Sequence, residues 1–123
     1  MSTIQSFRDL IVWQKSMKLV TEIYIATRSF PSEEVYALTS QLRRCAISIP
    51  SNIAEGYGRR STLDYKRFLQ IAVGSTFELQ TQIEIASNLK YLSSELFGNL
   101  SNAAKEIELM LLSLINKLIN QKG

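Results

Sequence analysis

Apolar residues recur at intervals of three and four along four stretches of this chain, the period of amphipathic helices rather than of strands. In the first stretch, Leu10, Trp13, Met17, Val20, Tyr24 and Thr27 form one stripe. A second stripe, Val12, Leu19, Ile23, Ala26 and Phe30, lies about 120° away around the helix. Ser6 followed by Asp9 resembles a capping box, so helix one is expected to open there and run to about Ser29. One neighbouring helix does not need so wide an apolar face. Phe30-Pro31-Ser32 predicts a turn, with Glu33 and Glu34 in the first turn of the next helix, where carboxylates meet the positive end of the helix dipole.

Helix two carries Val35, Leu38, Leu42, Cys45 and Ile49 at helical spacing, meets Pro50 in mid-pattern, continues through Ile53 and Ala54, and is expected to stop near Gly56. An interior proline removes one backbone hydrogen bond and clashes with the preceding turn, at a cost of about 3 kcal/mol in an unsupported helix. A helix that keeps its period across Pro50 is therefore expected to kink there, as a packing device. Gly56-Tyr57-Gly58 predicts a C-cap and short loop.

Ser61 with Asp64 predicts a second capped start, for a helix three that runs to about Lys90 on a stripe of Tyr65, Phe68, Ala72, Thr76, Leu79, Ile83 and Ala86. Gly74 and Ser75 offer small side chains where another backbone can come close. Ser93 or Ser94 caps helix four, expected to reach about Gln121 with Leu96, Leu100, Ala103, Ile107, Met110, Leu114 and Leu118 inward. Leu109, Leu111, Leu112 and Ile115 make its centre apolar almost all round, which predicts burial on more than one side. These elements predict an all-α, up-down-up-down four-helix bundle as a single domain over residues 1–123. The surplus apolar surface of helices one and four predicts a homo-oligomer.

Composition narrows the function. With 46% hydrophobic residues, two prolines and five glycines, 123 residues suit one folded domain. The chain has no histidine, which excludes a Ser-His-Asp triad, a Cys-His pair, a His-ligated zinc site and the Glu-x-x-His di-iron bundle. No other acid–base or metal constellation gathers, so neither an enzymatic activity nor a cofactor or metal is expected. Cys45 stands alone on the helix-two stripe and is expected to be a buried, inert thiol. The opening residues hold no apolar signal region and no window resembles a membrane span, so a cytoplasmic protein with no membrane partner is expected.

Charge is unevenly placed. Between residues 56 and 70, Arg59, Arg60, Lys66 and Arg67 stand against Asp64, a local excess of three that equals the net charge of the whole chain, +3. Arg43 and Arg44 precede them on helix two, so six basic residues are candidates to gather at one end of the bundle and contact phosphates. The same pattern suits a solvated helix end whose charges pair locally with Glu55 and Asp64. Arg43 and Arg44 lie about 100° apart on a helix, so one of them suits a structural role, with Glu55 a candidate partner, or a subunit interface. Gly56-x-Gly58-Arg59 lacks the end of a P-loop and any preceding strand, and is a turn. The aromatic residues fit core stripes better than a base-stacking platform, although Tyr57 in the loop could stack.

Several strings together resemble one family: Phe7-Arg-Asp-Leu-Ile-Val-Trp-Gln14, the Phe30-Pro31 turn, Gln41-Leu-Arg-Arg-Cys-Ala-Ile-Ser-Ile-Pro50, Asn52-Ile-Ala-Glu-Gly56, Arg60-Ser61, Phe68-Leu-Gln-Ile-Ala72 with Gly74-Ser75, Glu78-Leu79, and Met110 with Leu114-Ile115. From Phe7 to about Leu118 the chain resembles the four-helix-bundle proteins encoded in intervening sequences of 23S ribosomal RNA genes. That family is in turn similar to the accessory variability proteins of diversity-generating retroelements. The resemblance implies a bacterial bundle that assembles as a homopentameric ring. Retroelement members bind nucleic acid and a reverse transcriptase through basic surfaces and catalyse nothing. Gln41, Arg44, Pro50, Asn52, Glu55 and Gly56 carry the family pattern; Arg59, Lys66 and Arg67 are candidate contacts on charge alone. The function expected is a non-enzymatic homo-oligomer that binds RNA or DNA, with an accessory role beside a reverse transcriptase as one form of it. The alternative is a protein-interaction scaffold that never touches nucleic acid.

Overall fold

The computed structural model describes residues 3–120, which form four long helices and two short 3₁₀ turns; among them there is no strand. Helix α1 spans Ile11–Thr27, α2 Leu38–Tyr57, α3 Thr62–Asn88 and α4 Ser94–Asn120. The expected end of helix four at Gln121 lies just outside the described residues.

Side-chain contacts set the direction of each helix. Gln41 meets Gln82, Cys45 meets Ser75 and Glu78, and Gly56 faces Phe68, so positions climb on α2 as they fall on α3. Thr27 meets Arg43, Gln80 meets Glu108 and Lys15 meets Glu106, and α4 closes the bundle against α1. Each helix thus packs on the next in sequence, and short loops leave the chain no room for a crossover. No helix is long and apolar enough to cross a membrane.

The Ser6–Asp9 capping box forms, but it caps a single 3₁₀ turn, Phe7–Asp9, rather than helix one. Leu10 then takes an extended conformation, with φ −74° and ψ 124°, and α1 begins after it. This step brings the Phe7 ring edge-on to Trp13, with centroids 5.2 Å apart. Glu33 and Glu34 likewise sit in a 3₁₀ turn, Ser32–Glu34, and α2 starts only at Leu38, which leaves Val35 exposed.

The core draws on the predicted stripes unevenly. In α1 the second stripe is the buried one: Val12, Leu19, Ile23 and Ala26 are enclosed, while Met17 and Tyr24 of the first stripe are exposed. In α3, Leu69 takes the place assigned to Phe68, and in α4 the buried line is Leu100, Ala104, Ile107, Glu108, Leu111 and Ile115. Ala72, Thr76, Leu79, Ile83 and Ala86 of the expected α3 stripe are buried as expected, as are Leu100 and Ile107 on α4. Ala104, Leu111 and Ile115 replace Ala103, Met110 and Leu114 because two neighbouring helices rather than one set the inward direction. Leu109 and Leu112 consequently face outward. Glu108 is the surprise on the α4 line: it is 5% exposed, accepts from Gln80 Nε2 at 3.0 Å and pairs with Lys105 at 3.4 Å.

Helix α2 runs unbroken past Pro50, which is buried between Ile49 and Ile53. As expected, α2 ends within the Gly56-Tyr57-Gly58 segment: Tyr57 is its last residue and Gly58 the C-cap, with φ −77°. The reason for Gly56 is space. A Cβ there would stand 2.7 Å from the Cβ of Phe68 and 3.2 Å from the carbonyl oxygen of Tyr65, so only glycine lets α2 and α3 meet this closely.

Candidate nucleic-acid interface

Because α1 and α3 begin where α2 and α4 end, one end of the bundle collects the α2–α3 loop, the first turn of α3, the 3₁₀ turn before α1 and the last turns of α4. The Ser61 hydroxyl accepts from the Asp64 N–H at 3.0 Å and fixes the start of α3, so Lys66 and Arg67 lie within its first two turns. Arg59 and Arg60 follow the Gly58 cap directly. Four of the predicted basic residues are therefore brought together here.

They are not equivalent. Arg59 donates from Nη2 to Glu55 Oε2 at 2.7 Å and lies over the Phe68 ring, 4.9 Å from its centre. Arg67 pairs with Asp64 at 3.5 Å, and both side chains are exposed. Pairs this open to water contribute a few tenths of a kcal/mol and restrain their arginines only weakly. Arg60 and Lys66 have no ion-pair partner among the described residues. The local carboxylates expected to temper the cluster, Glu55 and Asp64, do so for two of the four.

Arg43 and Arg44 lie elsewhere. They precede the end of α2 by thirteen or fourteen residues, about 20 Å at the rise of an α-helix. Arg43 is the structural member of the pair: its Nε donates to the Thr27 hydroxyl at 2.9 Å, its Nη2 reaches the Tyr24 carbonyl at 3.4 Å, and its guanidinium stacks over the Tyr24 ring at 4.5 Å. Its partners are thus on α1, and Glu55 belongs to Arg59. Arg44 points instead into a polar groove between α2 and α3.

Sequence reading also missed two members of the basic end. The up-and-down path returns Arg8, in the first 3₁₀ turn, and Lys117, in the last turns of α4, to the end that holds the α2–α3 loop. Lys117 lines a hollow there with Asp9 and Leu10. Only the pairing of helices brings together positions so far apart in sequence.

Three titratable groups are shifted, and they lie on different parts of the bundle: Cys45 midway along α2, Tyr65 at the start of α3 and Tyr91 after its end. Burial first, then the nearby Glu78 carboxylate and its contact with Cys45, push the Cys45 thiol up to about 12, so it stays protonated. Its Sγ donates to the Ser75 carbonyl at 3.1 Å. Burial, followed by the neighbouring Tyr57, raises the Tyr65 hydroxyl. A hydrogen bond to Glu34, 2.9 Å long, is the main cause that raises Tyr91. Among the described residues no three His, Cys, Asp or Glu side chains converge on a point that would hold a metal ion.

The model of the 23S rRNA-intervening sequence protein family matches residues 8–113. The chain belongs to this family. The fold is shared with a crystal structure from Bacteroides thetaiotaomicron, described as a protein with unknown function from the S23 ribosomal protein family. That protein is 24% identical, the match covers 86% of this chain and 96% of the other, and the TM-score is 0.79. At that identity the likeness establishes the bundle and carries no residue role. A search of curated proteins gives no match. The family strings quoted from the sequence fall on all four helices, and Gly56 is the one whose geometric necessity is plainest.

Proposed function

We propose that this chain is a non-catalytic, homo-oligomeric bundle that binds RNA or DNA through its basic end. The carrying observation is the gathering of Arg59, Arg60, Lys66 and Arg67 at the α2–α3 junction, with Arg60 and Lys66 free of carboxylate partners among the described residues. Phosphates attract such a surface without regard to sequence, and a ring of copies multiplies its field. Arg8 and Lys117 widen the surface; Arg43, occupied with α1, is dropped from it.

Assembly is supported by apolar side chains left outward on several helices, among them Ile11, Ile25, Phe77, Ile85, Leu109 and Leu112. Five copies in a ring and a place beside a reverse transcriptase belong to the same proposal and rest on the family resemblance. So do two further parts with other grounds: a bend at Pro50 that shapes α2 for that packing rests on the proline in mid-helix, and a cytoplasmic location on the single cysteine, Cys45, which forms no internal disulfide.

A salt titration of binding to a structured RNA and to duplex DNA tests it. Each phosphate contact contributes about 0.9 to the log–log slope on duplex DNA and about 0.7 on single strands. Arg60→Ala with Lys66→Ala should lower the slope by about two contacts' worth for each protomer engaged. Absence of binding at low salt, or a slope indifferent to these substitutions, overturns it. Capture of a protein partner that survives nuclease treatment would then favour the interaction scaffold.

A further inference from the structure

The basic end carries a hollow as well as charges. The Ser6–Asp9 capping box closes a turn short of α1, and the extended Leu10 that follows leaves Ile4 and Leu10 set against Met110 and Leu114 of α4. These four side chains wall a hollow of about 340 Å³. That is near the lower end of the range of about 300–1,000 Å³ common to ligand sites, and it suits one ring system. Ile4 is 45% exposed, and Met110 and Leu114 are half-buried, so the apolar walls meet solvent.

Two polar groups stand at the same hollow, and they carry opposite charges. Asp9 is held in place: its Oδ2 accepts from the Gln5 N–H at 2.9 Å and from the Ser6 N–H at 3.1 Å. Its Oδ1 has no partner among the described residues. Lys117 is exposed and has no ion-pair partner among them either. The hollow thus offers apolar walls, one fixed acceptor and one cation on a flexible stem. A fatty acid or another apolar anion suits it poorly, because the Asp9 carboxylate repels its head. A nucleobase matches each part. Its faces lie against aliphatic walls, and its edge sets N–H donors beside acceptor atoms.

We infer that this hollow receives an unpaired base of a single strand whose phosphates lie on the basic end. Asp9 Oδ1 accepts from an N–H on the edge of the base, and Lys117 donates to a neighbouring acceptor on that edge. Arg8, directly before Asp9, is exposed and has no ion-pair partner among the described residues, so a cation for the adjoining phosphate comes from the same turn. In a duplex those edges are paired and those faces stacked, so the hollow selects single strands. Tyr57, the aromatic residue that the sequence offers for stacking, is already engaged: it is half-buried, with its ring edge-on to Tyr65 and centroids 6.1 Å apart. Seating of a base here rests on the nucleic-acid reading of the basic end and adds strandedness to it.

The test is fluorescence anisotropy of full-length protein at low salt with three labelled probes, each made as DNA and as RNA: a single strand, the same strand with abasic sites along its centre, and the duplex. The intact and abasic strands carry the same phosphates, so the difference between them reads the bases. The wild type should bind the intact strand at least about fivefold more tightly than the abasic one, the low end of what one seated base contributes. Ile4→Ala with Met110→Ala should remove most of that difference and leave binding of the abasic strand and the duplex unchanged. Helical circular dichroism checks the fold, and Ile4→Ala alone, at an exposed position, should narrow the difference in the same direction. Equal binding of intact and abasic strands, a difference that survives these variants, or binding confined to the duplex overturns the base site while the basic end stands. No binding of any probe overturns the nucleic-acid reading and the base site together.

Discussion

Gly56 and Phe68 define the closest approach between α2 and α3, with only 2.7 Å available to a Cβ at Gly56 before it meets the Phe68 Cβ. The obstructing atom is fixed to the α3 backbone, so relief requires moving a helix rather than turning a side chain. Gly56→Ala should therefore destabilise the protein even though alanine is the better helix former by about 1 kcal/mol. Overpacking of this kind costs about 1–3 kcal/mol. We expect a net loss on the order of 1 kcal/mol or more in urea unfolding; a rise in the midpoint would contradict the packing account.

Arg43 and Arg60 should separate cleanly. Arg43→Ala removes a hydrogen bond to the buried Thr27 hydroxyl and the stack on Tyr24, a loss of about 1–3 kcal/mol of stability. It should leave the salt dependence of nucleic-acid binding where it was. Arg60→Ala should do the reverse, since its exposed side chain has no ion pair to lose among the described residues. Unfolding midpoints and binding slopes measured on the same two variants check both halves.

Releasing Arg59 should tighten nucleic-acid binding. Glu55 holds the Arg59 guanidinium at 2.7 Å, and the exposed pair contributes at most about 1 kcal/mol to folding. Glu55→Gln should thus leave the melting temperature nearly unchanged while it lowers the dissociation constant at low salt. Weaker binding in that variant would mean that Glu55 positions Arg59 rather than competes for it.

Alkaline conditions should weaken the fold through Cys45. Its thiol titrates near 9.0 when free and is pushed up to about 12 by burial and by Glu78. Between those values the unfolded state has lost the proton that the native state keeps, so the unfolded state binds fewer protons and stability falls as pH rises. The full contribution is present below about pH 9, and the slope above it is at most about 1.4 kcal/mol per pH unit for this group. Tyr65 and Tyr91 are raised in the same direction. Cys45→Ala should flatten the pH dependence of the urea midpoint in this window, and native Cys45 should resist alkylation at pH 8 until the chain is unfolded.

Lys90 is the one non-glycine residue among those described with positive φ, 68°, where α3 ends. Its N–H bonds the Ser87 carbonyl and the Tyr91 N–H reaches back to Ala86, closing the helix in a left-handed cap. Lys90→Gly should raise stability by about 1 kcal/mol by removing the left-handed penalty. A thermal melt that falls instead would show that the lysine side chain has a role there.

Much of this molecule was legible before any coordinates. Local sequence alone determines four helices, their order, the cap at Ser61 and a cap at Ser93 or Ser94, of which the structure selects Ser93, because these depend on neighbours within one or two turns. The lone thiol at Cys45 and the basic junction after Gly56 followed from the same reading. The direction a helix faces was legible over most of α2 and α3, where Leu42, Cys45, Ile49, Ala72, Thr76, Leu79, Ile83 and Ala86 are buried as expected. It was off by one residue at the start of α3 and along half of α4. Leu69 rather than Phe68, and Leu111 rather than Met110, turn inward because two neighbours together set the buried arc.

Tertiary structure alone decided what touches what. It made Gly56 a point of close packing, since the obstacle to a side chain there is Phe68 on another helix. It divided the arginine pair, sending Arg43 to Thr27 and Arg44 into the α2–α3 groove, and it returned Arg8 and Lys117 to the basic end. Sequence spacing encodes the surface a helix presents, while the partner across that surface is chosen by the path of the whole chain.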